Sequence, residues 1–481
     1  MSSTKKRPNL LFLFTDEQRA DTIHALGNKQ IHTPSLDKLS EISTVCSNAY
    51  VTQSVCTPSR GSIMTGLYPH THKTTDNNMI LEDTTLCLPE MPGLSEYTTA
   101  YYGKWHLGDE VHAQHGFQYW ESVDDGYHQY DSDKYDKSRR CGYTNWLVEN
   151  GIETDTVDCN GFPYHSRQLS VSLPEQYTKA WYVGMMGEKF IKEHSDEPFI
   201  LYLNFFEPHM PMTGPLNDFY NWENMPLPET HECLPDDVPL KYKLFSETFQ
   251  KKFPTEEAWK RIICQYYGLV SMVDRQVGRI LDTLEACGEL DNTILVYTSD
   301  HGDMLGNHNL YGKCTMYEEA IKVPLFIRLP GQKEKKTISN PVSQIDLVPT
   351  LLEALGAPSY PPCEGSSIFK ELSDPDPLVQ PEKDVFVEWI GSNNNFDLGA
   401  EIGEVSIKEE WLTHNTKAEI TEAVRDRVIT IISPDGRKLS YSPLGEHQFF
   451  NLKSDPGETT NLWGKIPCND LVQKAEEWSR N

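Results

Sequence analysis

Four apolar runs of strand length, each ending in a polar cluster, constrain this chain more than any other feature. Residues 9–14 (NLLFLF) run into Thr15-Asp16-Glu17-Gln18-Arg19, and residues 98–102 into Gly103-Lys104-Trp105-His106-Leu107-Gly108. Residues 199–205 (FILYLNF) lead to Glu207-Pro208-His209-Met210-Pro211, and residues 293–298 (TILVYT) to Ser299-Asp300-His301-Gly302-Asp303. A strand that is apolar on both faces must be covered on both, so such runs separated by helices read as a buried parallel sheet. Ligands of α/β sheets collect at the carboxyl ends of the strands. The four clusters should therefore converge on one edge.

Helical patterns fill the intervals. Pro34 follows a Thr33 cap, with Leu36, Leu39 and Ile42 on one face. Tyr266, Val270, Val273, Val277, Ile280, Leu281 and Leu284 keep three-and-four spacing up to Gly288, which predicts a long packed helix. Residues 345–355 predict another, closed by Gly356. Residues 356–384 are rich in Pro, Ser and Asp and read as a linker. Beyond it, residues 385–389, 428–433 and 438–441, with Pro434-Asp435-Gly436 as a turn, predict a small antiparallel sheet. A helix over 471–478 closes the chain. The fold class is α/β: a large, mostly parallel sheet sandwiched by helices, with a smaller C-terminal antiparallel sheet plus helix. The division expected is a catalytic domain over 1–370 and a smaller subdomain over 385–481. Residues 121–180 have weak periodicity and read as loops over the sheet's edge.

Composition narrows the partners. Among 481 residues, 38% are hydrophobic and 24% charged, as in an ordinary globular protein. No apolar run reaches the roughly 18 residues of a membrane helix, and residues 10–14 are too short for a signal-peptide core. Eleven cysteines, an odd number without C-x-x-C spacing, favour reduced thiols. The reading is a cytoplasmic chain with no membrane partner. A formal net charge of −28 with no long basic run argues against nucleic acid. An anionic substrate would need a local group of cations, which gives weight to the few Lys, Arg and His beside the clusters.

Cys56-Thr57-Pro58-Ser59-Arg60, continuing into Gly61-Ser62-Ile63-Met64-Thr65-Gly66, resembles the signature of the type I, formylglycine-dependent sulfatases of the alkaline-phosphatase-like superfamily. The resemblance spans nearly the whole chain. It implies that a formylglycine-generating or anaerobic maturation enzyme oxidises Cys56 to an aldehyde. Hydrated, that aldehyde is a geminal diol: one hydroxyl can attack sulfur and the other can expel sulfate, which no unmodified side chain can do. Cys56 precedes a predicted short helix over 59–65, and Arg60 can return toward it.

A metal must acidify the diol. Asp16, Glu17, Asp300 and His301, adjacent pairs at two strand ends, are the natural ligands together with the modified Cys56. The departure from the family pattern is Glu17, where many relatives carry Asp. Oxygen ligation suits one divalent cation, Ca²⁺, with Mn²⁺ as the alternative that His301 allows. Lys104 and His106 resemble the family's Lys-x-His pair, His209 its second catalytic histidine and Lys313 its later lysine. The resemblance implies that Lys104 and Lys313 neutralise the sulfuryl oxygens and Arg60 positions the diol. It also implies that His209, helped by Lys313, protonates the leaving alcohol, while His106 takes the proton of the remaining hydroxyl. His70 reads as structural, supporting the nucleophile turn, and His308 and Arg19 are unassigned. Residues 446–452 with Asp455-Pro456-Gly457-Glu458 and Asn461-Leu462 resemble the family's closing motif, a structural turn.

The family implies a sulfate ester as substrate, with a sulfated carbohydrate first. Tyr119, Trp120, Tyr127, Tyr130 and Trp146 could form a wall that stacks on sugar rings or could simply pack the loops. Two alternatives remain: a phosphonate monoester or phosphodiester hydrolase of the same fold, and an inactive binder of sulfated glycans.

Overall fold

A computed structural model describes residues 7–480 apart from 127, 159, 160, 236, 375, 377 and 391–406, and the side chain of Gln129 is likewise set aside. Tyr127 of the proposed aromatic wall and the first six residues lie outside the described residues.

The main sheet has eight strands, in the order Lys336–Ile338, Thr44–Cys46, Phe326–Arg328, Thr293–Ser299, Asn9–Asp16, Phe199–Pro208, Thr98–Gly103 and Tyr119–Ser122. Within it only Phe326–Arg328 runs against the others. The four apolar runs are four neighbouring strands. Leu13 pairs with Leu203 on one side and Tyr297 on the other, and every residue of these three central strands is buried. Their continuous hydrophobicity is thus explained by cover on both faces. Helix Lys179–His194 packs on the Phe199–Pro208 strand and on the 31-residue helix Glu256–Ala286, which also carries Pro34–Glu41. Helix Cys56–Thr65 packs on Leu347–Ala354.

Three expectations change in detail. The long helix begins at Glu256, ten residues before Tyr266, because Thr255 caps it by accepting the Ala258 amide and two glutamates fill its first turn. The stretch expected as loops contains helices Gly142–Glu149 and Arg167–Ser172 and the strand pair Thr156–Val157 with Pro163–Tyr164. These elements are too short to show a period, and side-chain caps at Cys141 and Ser166 carry them instead. The expected linker includes a short helix, Phe369–Ser373, held because Ile368 and Leu372 enter the core.

The C-terminal sheet is antiparallel with four strands: Val385–Trp389, Val428–Ile432, Arg437–Tyr441 and Gln448–Asn451. The fourth lies in the segment read as a closing turn. Gly436, at φ 88°, makes the predicted turn. Alternation divides the sheet's faces. Val385, Val387, Trp389, Ile432 and Phe450 join the main core, while Ile429, Ile431, Leu439 and Phe449 pack with Leu471 and Ala475 of helix Asn469–Trp478. Among the described residues no helix is long and apolar enough to cross a membrane.

Candidate active site

Strand ends build the site. Pairing along Asn9–Asp16 shifts register between Thr15 and Asp16, so Asp16 leaves the regular ladder. Glu17 and His106 follow their strands with φ of 72° and 59°, left-handed values that non-glycine residues keep only when their surroundings fix them. Gly103 sits at φ 126°, where a Cβ would lie 1.8 Å from the Asn204 carbonyl oxygen, so only glycine lets the chain turn there into Lys104.

Cys56 is the first residue of helix Cys56–Thr65, all of whose residues are buried. Its Sγ marks where the oxygens of an oxidised side chain would stand. Around it, Lys313 Nζ lies at 3.0 Å, His301 Nε2 at 3.2 Å, Asp16 Oδ1 at 3.7 Å and Lys104 Nζ at 4.0 Å. Arg60, one turn along the helix, ties the acidic pairs together. Its Nη2 donates to Asp16 Oδ2 at 2.9 Å, its Nε to Asp300 Oδ2 at 2.8 Å, and its Nη1 to the Lys104 carbonyl and to Asn204 Oδ1, both at 2.7 Å. Lys104 Nζ also donates to Asp16 Oδ2 at 2.6 Å.

The chain's donors fit a divalent cation. Asp16, Cys56, Asp300 and His301, all buried, present ligand atoms within 4.8 Å of one another. His301 Nδ1 bonds the Gly302 carbonyl at 2.9 Å, which leaves Nε2 as the ligating atom. Glu17 stands apart from that set and groups instead with Asp16 and His209. Its Oε2 is 3.3 Å from Lys313 Nζ and 3.6 Å from His209 Nε2, while its buried Oε1 has no hydrogen-bond partner among the described residues.

Electrostatics follow from this packing. Burial would raise the Asp16 carboxyl, but Lys104 and Arg60 hold it well below its usual range. Burial and Asp16 push the Cys56 thiol up, yet Lys104, Lys313 and His301 outweigh them and bring it down to about 7. Burial dominates at Glu17, whose carboxyl is raised well above its usual range. Burial and nearby lysines hold His106 and His209 low, so both are neutral imidazoles. Burial opposes the charge on Lys313, but Cys56 and Glu17 keep its ammonium protonated.

Each of the ten predicted site residues is brought here except that His106 stands one step back. His106 Nε2 lies 2.9 Å from Asn78 Oδ1, and its carbonyl accepts from Thr57 Oγ1. The unassigned residues prove structural. Arg19 donates to the carbonyls of Asp303 and Met304 and to Asn307, pinning the loop after His301, and His308 stacks on Tyr317. His70 bonds Glu388 and meets Trp478, supporting the C-terminal sheet, whereas His72 backs the nucleophile helix through Ser62. Trp120 packs among Tyr101, Trp105 and Phe117, and Trp146 among Tyr143, Tyr177 and Tyr182, so loop packing accounts for both. Sequence reasoning missed Asn204, a lone polar residue in an apolar run, and Gln344, whose amide spans Ser59 and the Ser299 carbonyl.

The Sulfatase family model matches residues 8–357. The chain belongs to the sulfatase family. Its site is that of a sulfuric ester hydrolase on an alkaline-phosphatase-like fold. The sulfatase is 29% identical to an arylsulfatase of Clostridium perfringens over 483 residues, covering 95% of this chain and 90% of the relative. It is 26% identical to an N-acetylglucosamine-6-O-sulfatase of Bacteroides thetaiotaomicron, covering 98% and 86%. The solved phosphonate monoester hydrolase of Silicibacter pomeroyi superposes with a TM-score of 0.74 over 98% of this chain and 94% of that one. At 21% identity, that likeness shows the shared fold alone.

Proposed function

We propose that this sulfatase hydrolyses a sulfate ester on a saccharide, using formylglycine made from Cys56 and one divalent cation, Ca²⁺ or Mn²⁺. The observation that carries this is the convergence of Lys104, Lys313, His301 and the two carboxylates on Cys56 Sγ. A saccharide is supported by the N-acetylglucosamine-6-O-sulfatase relative.

Asp16, Asp300 and His301 would hold the cation, which supplies Lewis acidity that lowers the pKa of a coordinated hydroxyl. The oxidised side chain would supply a hydrated aldehyde at position 56, with one hydroxyl able to displace the alcohol at sulfur and a second able to release sulfate by returning to the carbonyl. The chain's own residues do the rest. Lys104 and Lys313 face the position of the sulfuryl oxygens and neutralise charge that grows there. Arg60 fixes Asp16 and Asp300 against each other, so the polar groups need no reorganisation during reaction. The leaving oxygen takes its proton from the Lys313–His209 pair, in which Lys313 carries the proton and His209, held by the Met210 carbonyl at 2.6 Å, presents Nε2. His106, a neutral imidazole, can accept the proton of the second hydroxyl.

The test is a paired kinetic measurement on protein matured with a formylglycine-generating enzyme. Mass spectrometry of the peptide spanning Arg60 should show the aldehyde, chelation should abolish turnover, and Ca²⁺ or Mn²⁺ should restore it. His209→Ala should harm a sugar sulfate ~10²–10⁴-fold more than an activated aryl sulfate, since general acid help matters most for a poor leaving group. Faster turnover of an aryl phosphonate monoester than of any sulfate ester would overturn the reading in favour of the phosphonate hydrolase. Binding of sulfated saccharides without turnover by aldehyde-bearing, metal-loaded protein would favour the inactive binder.

A further inference from the structure

Away from the reaction centre, Cys87, Glu90 and His115 bring three different metal-binding side chains together, with ligand atoms within 4.8 Å of one another. Cys87 and Glu90 stand at the two ends of the one-turn helix Leu88–Glu90, and His115 follows the loop that leaves Lys104 and His106. Cys87 is fully buried and the His115 side chain is 2% exposed. Glu90 keeps 24% of its side chain open, which gives the group a way out to solvent.

Hydrogen bonds within the group do not use up its polar atoms. The Cys87 amide donates to Glu90 Oε2 at 2.9 Å, and the Cys87 sulfur accepts the Glu90 amide. His115 Nδ1 lies 3.3 Å from the same Oε2. Two ligands at 2.0–2.1 Å from a tetrahedral ion stand roughly 3.3 Å apart, so that spacing suits a shared ion as well as a long hydrogen bond. Glu90 Oε1 is left without a hydrogen-bond partner among the described residues. His115 Nε2 is buried and likewise has none there, a costly state for a ring nitrogen.

We propose that Cys87, Glu90 and His115 bind a second metal ion, Zn²⁺, which ties the Leu88–Glu90 turn to the loop beyond His106. One sulfur, one nitrogen and one carboxylate oxygen form a borderline-soft set that suits Zn²⁺ and disfavours Ca²⁺ or Mg²⁺. Water on the open side of Glu90 completes the tetrahedron. Burial and the Glu90 charge hold the Cys87 thiol well above its usual range, so its proton passes to solvent only as the sulfur–metal bond forms. The ion acts on the fold beside the active site. In that loop Glu110 accepts the Trp105 and His106 amides, both at 2.7 Å, and the Gln114 amide closes on the carbonyls of Gly108, Asp109 and His112. Anchoring His115 therefore anchors the segment that presents Lys104 and His106.

Cobalt(II) reports this site without any turnover. In full-length Cys56→Ser protein, kept in excess Ca²⁺, no thiolate remains in the active-site group, so a thiolate-to-cobalt charge-transfer band must come from another cysteine. Titration with Co²⁺ should give that band at one equivalent, and Zn²⁺ should displace it. Three substitutions in that background locate the ion. Cys87→Ser keeps an acceptor for the Glu90 amide, Glu90→Gln keeps the cap on the Cys87 amide, and His115→Asn tolerates the left-handed backbone at φ 48°. Cys87→Ser should abolish the band, and the other two should weaken Co²⁺ and Zn²⁺ binding by at least ~10²-fold, since even outer-sphere partners are worth 10- to 100-fold. Zn²⁺ should raise the urea midpoint of the parent protein and leave that of Glu90→Gln unmoved. No thiolate band, a band that survives Cys87→Ser, or unchanged affinity in Glu90→Gln or His115→Asn would overturn the site. Those last two variants decide the matter if Cys87→Ser does not fold.

Discussion

Two buried ionic clusters in this molecule differ in what they leave unfinished. In the active site Arg60 spans Asp16 and Asp300 while Lys104 and Lys313 face Cys56, and the Glu17 Oε1 atom has no hydrogen-bond partner among the described residues. At the joint with the C-terminal sheet, Lys438 lies between Glu318 at 3.0 Å and Glu458 at 2.8 Å, and Tyr50 donates to Glu318. All three side chains of the second cluster are largely or fully buried, yet it closes on itself: burial raises Glu458 to about 8, so it keeps its proton and one carboxylate faces one ammonium. The first cluster gathers its charges around Cys56 Sγ. A closed cluster holds two sheets together, whereas an open one is organised for something that arrives later.

The largest effect expected from breaking this contrast is at Arg60. Arg60→Met keeps the length of the side chain but strands two buried carboxylates, a change that typically costs about 3–5 kcal/mol. It also frees Asp16 and Asp300 from their common brace, and misplacement of that order costs at least ~10²-fold in rate. Urea unfolding and kcat/KM on one aryl sulfate should therefore both fall. A variant that loses activity with an unchanged unfolding midpoint would show that the brace is not structural.

Lys438→Met should separate the two quantities. Because Glu458 already holds a proton, removal of the lysine leaves only Glu318 exposed to the penalty, so a loss of ~3 kcal/mol is expected. Turnover per folded molecule should stay unchanged. Replacement of the whole cluster, Lys438→Met with Glu318→Gln and Glu458→Gln, should recover most of that loss, as replacing a closed buried ion group often does. No recovery would mean the charges hold the joint in a way that neutral side chains cannot.

The same contrast explains what the sequence made legible. The sheet, its edge and the acidic pairs could be read because a central parallel strand must be apolar throughout and must end in the residues that work. Cys56, Arg60, Lys104 and Lys313 stood out by motif. Asn204 and Gln344 did not, since their partners Arg60 and Ser59 are more than a hundred residues distant and no local pattern announces such pairs. His72 was overlooked for His70 because both follow Pro69. Only packing distinguishes them: a Cβ on Gly61 would lie 2.7 Å from the His72 ring, which marks it as the one that seats the nucleophile helix.

The smallest expected effect is a slope. The Glu458 carboxyl has its usual value of 4.5 in the unfolded chain and about 8 in the folded one, raised by burial and by Glu318 against the pull of Lys438. Between those values the folded state holds a proton that the unfolded state has released. Raising the pH across that window therefore removes stability: the contribution is full below pH 4.5 and is lost by about pH 8. Glu458→Gln, neutral at every pH, should lack this component. Its amide oxygen can accept from Lys438 Nζ or from the Glu318 amide, which now donates to Glu458 at 2.7 Å, so it begins from a modest deficit at acid pH. That deficit should shrink as the pH rises, by up to ~1.4 kcal/mol per unit for one proton. Urea midpoints of wild type and variant at a series of pH values read the difference directly, with the other titrating groups cancelling. Parallel curves would mean that Glu458 is ionised in the folded protein and that two carboxylates share the single ammonium of Lys438.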